Sequence, residues 1–132
     1  MDRRTLALPP QASMREAVDF LLDNHVTGAA VVDLTGAVIG IVTAKDCLRL
    51  LTTGIDGEIP VDGTVADFMT TDVVTIPPEM DVYYAAGIFL ANTFRRLPVV
   101  ENGRLVGAIT RYDILRVIQT RLHEALEEGA EP

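Results

Sequence analysis

The chain has one cysteine, no tryptophan and only 5% aromatic residues in 132 positions. A lone Cys47 excludes an internal disulfide and suits a reducing cytoplasm, which is the expected location. Two histidines, set apart from it and from each other, offer no metal-ligand set. No apolar run approaches the roughly 18–20 residues that cross a bilayer, and no signal peptide opens the chain, so no membrane partner is expected. Basic residues are scarce: 11 Lys and Arg are outnumbered by 19 Asp and Glu, for a formal net charge of −8. Phosphate backbones demand clustered cations, so nucleic acid is excluded as a general partner, although a local basic pocket is not. No Ser-His-Asp set, glycine-rich phosphate loop or CxxC pair can be assembled, and an enzyme is not expected.

What the chain does contain is a repeat. Ala7-Leu8-Pro9-Pro10 returns as Thr75-Ile76-Pro77-Pro78, and Gly40-Ile41-Val42-Thr43-Ala44-Lys45-Asp46 returns as Gly107-Ala108-Ile109-Thr110-Arg111-Tyr112-Asp113. Val31-Val32-Asp33 with Gly36 is echoed by Val99-Val100-Glu101 with Gly103. The offset is 68 residues at the start of the unit and 67 at its end, which one deletion explains. An ordered match of this kind marks a tandem duplication. Each unit alone is too small to bury much surface, so the halves are expected to share a core.

Within each unit the periodicity predicts an opening strand, a helix, a hairpin and a second helix. Thr5–Leu8 opens the first unit. Ser13 and Glu16 have capping-box spacing ahead of a helix whose apolar face is Met14, Ala17, Val18, Leu21 and Leu22. Ala29–Asp33 and Val38–Thr43 read as a hairpin, followed by a helix from Ala44 to about Leu51. Thr52–Gly63, with three Gly, one Pro and three acidic residues, reads as an exposed linker. Thr64–Met69 is a short helix and Val73–Ile76 the second opening strand. A helix over Asp81–Thr93 turns Ala85, Ile88, Phe89 and Leu90 inward, and Leu97–Glu101 pairs with Leu105–Thr110 across Asn102-Gly103, a dipeptide suited to positive φ. The last helix runs from Arg111 to about Leu126 and frays beyond it.

The sharpest motif is Gly-apolar-apolar-Thr-x-x-Asp, at Gly40–Asp46 and Gly107–Asp113. Two readings stay open. A Thr that ends a strand, with Asp three residues later, can cap the next helix. The same corner also aims a hydroxyl, a carboxylate and free N–H groups at one point, where a ribose and a phosphate could be held. Thr64-Val65-Ala66-Asp67 has the same spacing inside a short helix, so the motif alone does not decide. Tyr83 and Tyr84 could stack on a purine but fit better against the lead-in helix, and Cys47 suits a small core position.

The repeated unit resembles the CBS domain, named for cystathionine β-synthase, and the chain over about residues 5–120 resembles a tandem CBS pair, or Bateman module. The likeness rests on Pro77-Pro78, on Arg96-Leu97-Pro98-Val99-Val100-Glu101 and on Gly107–Asp113, each with a first-half counterpart, and on the lead-in Thr64-Val65-Ala66-Asp67-Phe68-Met69-Thr70. It implies an α+β fold of two β-α-β-β-α repeats packed with pseudo-twofold symmetry into one globular pair: repeat 1 over 1–57, linker 58–63, repeat 2 over 64–122 and a frayed acidic tail over 123–132. It further implies a regulatory module that takes an adenosyl ligand, such as AMP, ADP, ATP or S-adenosylmethionine, in a cleft between repeats. No cofactor is required. The output would pass to an unidentified effector protein, and a homodimer is expected through the apolar faces Met14–Leu22 and Ile88–Leu90.

The family's ribose-binding Asp and its neighbouring Thr map to Thr110 and Asp113, and in the first half to Thr43 and Asp46. Arg95 and Arg96 stand where several nucleotide-binding members carry a basic residue that meets phosphate, whereas the first half has Thr27-Gly28 there. Thr75, Ile76, Pro77, Leu97 and Pro98 complete the second candidate site, with Arg111 and Lys45 as further phosphate candidates and Gly28 marking the uncharged first site. The competing reading is a structural or protein-interaction module whose clefts take no ligand.

Overall fold

The computed structural model describes residues 1–52, 58–59 and 62–130. Of the linker expected over 58–63, positions 60 and 61 lie outside the described residues, as do 53–57 before it and 131–132 of the expected tail.

The first repeat opens with β1 (Ala7–Leu8), then α1 (Met14–Asp23), β2 (Gly28–Val32), β3 (Val38–Thr43) and α2 (Ala44–Leu48), which continues as a 3₁₀ turn over Arg49–Leu51. The second comprises a lead-in helix α3 (Val65–Phe68), α4 (Val82–Ala91), β4 (Arg96–Glu101), β5 (Arg104–Thr110) and α5 (Arg111–Ala130). Ser13 caps α1 by accepting from Glu16 N at 3.1 Å. Asp81 caps α4 the same way, from Tyr83 N at 2.7 Å. His25, at φ 56°, takes the left-handed position that stops α1.

β1 runs parallel to β2 with Leu8 beside Val31, and β2 is antiparallel to β3. The second hairpin turns on Asn102 and Gly103, both at positive φ, as its two-residue loop requires. Its expected opening strand is reduced to one parallel bridge, Ile76 beside Val99, the duplicate of Leu8 beside Val31. Ile76 N donates to Pro98 O at 3.0 Å and Val100 N to Ile76 O at 2.8 Å.

Besides a bridge from Ser13 to Thr64, two bridges at sheet edges tie the halves together. Thr70 pairs with Ile41 on the outer edge of β3, and Asp2 pairs with Ala108 on the outer edge of β5. Each is a reciprocal pair of N–H···O bonds at 2.8–2.9 Å. Every repeat thus lends its lead-in to the other repeat's sheet and covers an edge strand that would otherwise present unpaired groups. Glycine makes the approach feasible. A Cβ on Gly40 would lie 2.6 Å from Met69 Sδ, and one on Gly107 would lie 2.5 Å from the Asp2 carbonyl oxygen.

The expected common core is instead two clusters. One gathers Leu8, Met14, Ala17, Leu21, Val31 and Val42 with Val65, which the second repeat's lead-in contributes. The other is smaller: Ile76, Phe89, Leu97 and Val99. The faces between them carry Ala30, Ile41 and Ala108, small or slender residues that let the sheets close. Three other expectations change. Leu22 and Leu90 point outward, 67% and 89% exposed: on α1 the buried face is Met14, Ala17 and Leu21, which leaves Leu22 beside it, and α4 is apolar on nearly every side, so its sequence selects no face for Leu90. Tyr83 and Tyr84 are exposed, and Tyr83 meets Arg121 of α5 by hydrogen bond and ring contact and not the lead-in helix. Finally, α5 continues to Ala130, past the Leu126 at which its sequence predicts an end. No helix among the described residues is long and apolar enough to cross a membrane.

Leu97 is wholly buried, so Leu97→Ala should cost about 2–5 kcal/mol, read as a lowered denaturation midpoint; an unchanged midpoint would show that the second cluster is not a packed core. Burial, helped by the neighbouring Asp46 carboxylate, raises the Cys47 thiol above its ordinary range. Since the thiolate is the reactive form, iodoacetamide should alkylate Cys47 more slowly at pH 8 than it does a free thiol, and the gap should narrow as pH rises. Equal rates at pH 8 would contradict that burial.

Candidate functional site

The two strand-to-helix corners are built alike. At the second, Thr110 ends β5 and α5 begins. Thr110 N and Oγ1 donate to Asp113 Oδ2 at 2.8 and 3.2 Å, while Asp113 N donates back to Thr110 Oγ1 at 3.4 Å. At the first, Thr43 N and Oγ1 donate to Asp46 Oδ2 at 2.9 and 3.0 Å, with Asp46 N returning a bond at 3.3 Å. The capping reading therefore holds at both corners. It accounts for only one oxygen of each carboxylate.

The other oxygen, Oδ1, meets the lead-in of the opposite repeat. Asp46 Oδ1 accepts from Thr70 Oγ1 at 3.2 Å and lies 3.4 Å from Arg49 Nη1. Asp113 Oδ1 lies 3.4 Å from the Met1 amino nitrogen and 3.7 Å from Arg116 Nη1. Thr64 and Asp67 form the same reciprocal cap at α3, but on an exposed turn where the carboxylate serves its own helix. There the Thr64 backbone N–H is the main force holding the Asp67 carboxyl below its usual range. The repeats' corners differ from that cap in sending the second carboxylate oxygen to the lead-in of the opposite repeat.

The corners are not equivalent in depth or charge. Asp46 is only 2% exposed and Asp113 18%. Gly28, buried at the start of β2, brings no charge to the first corner. Arg96, in the corresponding place, lies opposite Thr110 in the β4–β5 register and keeps a side chain only 12% exposed. Its Nη2 donates to Asp2 Oδ2 at 3.0 Å, and Arg4 clasps the same carboxylate through Nε and Nη2 at 2.8–3.2 Å. The Arg4 hydrogen bonds, above all, hold Asp2 far below the ordinary carboxylate range, with Arg96 acting in the same direction.

The other predicted residues separate into groups. Arg95, Arg111 and Lys45 are exposed, the last two on the first turns of α5 and α2. Thr75 and Pro77 are exposed on either side of Ile76. Ile76 and Leu97 belong to the second core cluster, and Pro98 is buried. Ile76 and Leu97 thus pack inward, while Pro98 borders the space between the repeats. Sequence reasoning passed over Asp2, Arg4 and Thr70. The signal for two of them was present, because the 68-residue offset that aligns Pro9 with Pro77 also aligns Asp2 with Thr70.

Between the repeats lies a cavity lined by Ala30 and Ile41 on one side, Pro98 and Ala108 on the other, and Arg4 and Arg96. It encloses about 10 Å³, room for one water molecule. A larger groove of about 380 Å³ lies by the first hairpin turn, lined by Leu34, Gly36 and Arg104, with none of the predicted ligand residues on its walls. Neither Asp46 nor Asp113 lines either space. Among the described residues no group of three or more His, Cys, Asp or Glu is placed to hold a metal ion.

Known proteins share this construction. The family model for the CBS domain matches residues 1–53 and again 65–120. Protein MJ1225 of Methanocaldococcus jannaschii is 34% identical over 118 residues, which is 89% of this chain and 41% of that one. The chain therefore spans less than half of that relative's length. The CBS domain-containing protein YhcV of Bacillus subtilis is 30% identical over 115 residues, covering 86% of this chain and 79% of its own. The crystal structure of CBSX2 in complex with AMP matches with a TM-score of 0.76 at 28% identity, covering 91% of this chain and 92% of that one; CBSX2 is an Arabidopsis thaliana protein. A duplicated sheet-and-helix unit, exchanged lead-ins and two family matches in tandem make this chain a member of the CBS domain family, built as a CBS pair.

Proposed function

We propose that the chain is a regulatory module that senses an adenine nucleotide or related adenosyl ligand at the second corner and reports it to a partner chain. The observation that carries this reading is the divided carboxylate of Asp113. Oδ2 caps α5 while Oδ1 is turned to the seam, where ribose hydroxyls could replace its present partners. Thr110 would assist, and Arg96, with exposed Arg95 and Arg111, would supply charge for phosphate. Ile76 and Pro98 would shape the site through their backbone. CBSX2, a relative over nine-tenths of the chain, forms a complex with AMP. The first corner is the weaker site, since Asp46 is sealed by Thr70 and Arg49 and Gly28 offers no cation; Lys45 stands outside it.

In this reading the chain carries out no reaction and needs no cofactor. A ligand touching both repeats shifts their relative arrangement by as much as it favours one arrangement over the other, and an effector protein responds to that shift. A second copy of the chain is the nearest surface to shift. The faces expected to form the homodimer are partly consumed, because Met14, Ala17 and Leu21 lie in the chain's own core. Exposed Leu115, Ile118, Leu122 and Leu126 instead make an apolar stripe along α5. One observation favours the competing structural reading: the cavity between the repeats holds no more than a water molecule, so any nucleoside must open it.

Titration calorimetry with AMP, adenosine and S-adenosylmethionine separates the two readings, since no heat up to millimolar ligand would leave only the structural module. Asp113→Ala should weaken the bound ligand about 10- to 100-fold, the worth of a lost charged hydrogen bond. Asp67→Ala removes an equivalent helix cap whose carboxylate is exposed and outside the proposed site, and should leave affinity unchanged; equal losses would assign Asp113 to folding alone. Light scattering should give twice the chain mass, and Leu122→Glu should return it to one. A wild-type monomer would remove the dimer from the proposal.

A further inference from the structure

The two corners differ at a pair of positions related by the duplication. Where the first has Gly28 and Thr70, the second has Arg96 and Asp2. In the first corner the lead-in residue is neutral and its hydroxyl donates to Asp46. In the second the lead-in residue is an anion, which cannot donate to Asp113, and it turns to Arg96 at 3.0 Å and to Arg4. Backbone pairing with Ala108, two bonds of 2.9 Å, holds Asp2 in that place independently of its charge. Arg96 and Asp2 are both largely withdrawn from solvent, at 12% and 20% exposure, so their bond is stronger than a surface ion pair.

We propose that Asp2 sets the ligand selectivity of the second corner, as a built-in carboxylate that competes with a ligand's phosphate for Arg96. The inference rests on the reading that this corner takes an adenosyl ligand, and it adds which such ligands the wild-type chain prefers. A phosphate arriving beside Arg96 meets two carboxylates, Asp2 and Asp113, and must displace the first to use the guanidinium. The cations facing Asp2 are Arg4 and Arg96, and those facing Asp113 are the Met1 amino group and Arg116. Neutral adenosine needs only Thr110 and Asp113 and does not contend with Asp2 for Arg96. Asp2 therefore narrows the advantage that a phosphate would otherwise confer.

The test is the ratio of AMP to adenosine affinity, measured by calorimetry at fixed ionic strength for the wild-type chain, Asp2→Asn, and Asp2→Asn combined with Arg96→Ala. Asp2→Asn keeps the side-chain shape and the strand pairing. It should tighten AMP about tenfold, the worth of one charged hydrogen bond, and leave adenosine nearly unchanged. Adding Arg96→Ala should abolish that gain. AMP binding that is unchanged or weakened by Asp2→Asn overturns this inference and leaves the nucleotide reading standing. An equal gain for both ligands overturns it as well, since the lead-in would then be a neutral cover. Binding of neither ligand to any variant would overturn the nucleotide reading, and this inference with it.

Discussion

The molecule depends on an exchange of chain between its halves. Each repeat leaves one strand, β3 or β5, at the edge of a small sheet, and each edge is met by the other repeat's lead-in through two backbone bonds. Those bonds satisfy groups that would otherwise remain unpaired, and they fix the register of residues 1–2 and 69–70 against the corners. Gly40 and Gly107 permit the contact because no side chain stands between the backbones. The two core clusters, by contrast, are separate, although Val65 of the second repeat's lead-in packs into the first repeat's core.

Because the lead-ins land beside the Thr-x-x-Asp corners, capping and recognition need not compete for the same carboxylate. One oxygen closes the reciprocal cap and the other looks across the seam. The cap at Thr64 and Asp67 is the internal comparison: the Thr64 N and Oγ1 bonds are the same, on an exposed turn, and the contacts described for the Asp67 carboxylate are to Thr64 alone. What separates a structural aspartate from a candidate binding aspartate here is the neighbour brought up by the tertiary fold.

Charge follows the same logic. A net charge of −8 describes the chain as a whole, yet Arg4 and Arg96 converge on a single carboxylate at the second corner. Duplication supplied two equal frames, and substitutions at matched positions gave one a neutral hydrogen bond and the other an ion pair. Two similar corners therefore carry different charge without a change of fold.

The order and type of most elements could be read from the residues, because hydrophobic period, capping spacing and the Asn102-Gly103 turn are local properties. The duplication was equally plain, and with it the equivalence of Asp46 and Asp113. Less could be read where local pattern is silent. α4 is apolar all round, so the outward turn of Leu90 had no sequence signal, and Val73–Ile76 formed one bridge because strand length depends on a partner's reach. Ile76 and Leu97 carry the motif yet lie in the core, since a motif names positions and not the directions of side chains. The repeats, their corners and the residues available to them are written in the order of residues along the chain. That Thr70 and Asp2 cross to the opposite corners follows from the folded chain alone, because contacts between residues far apart in the chain exist only once both sheets have formed and their edges have closed.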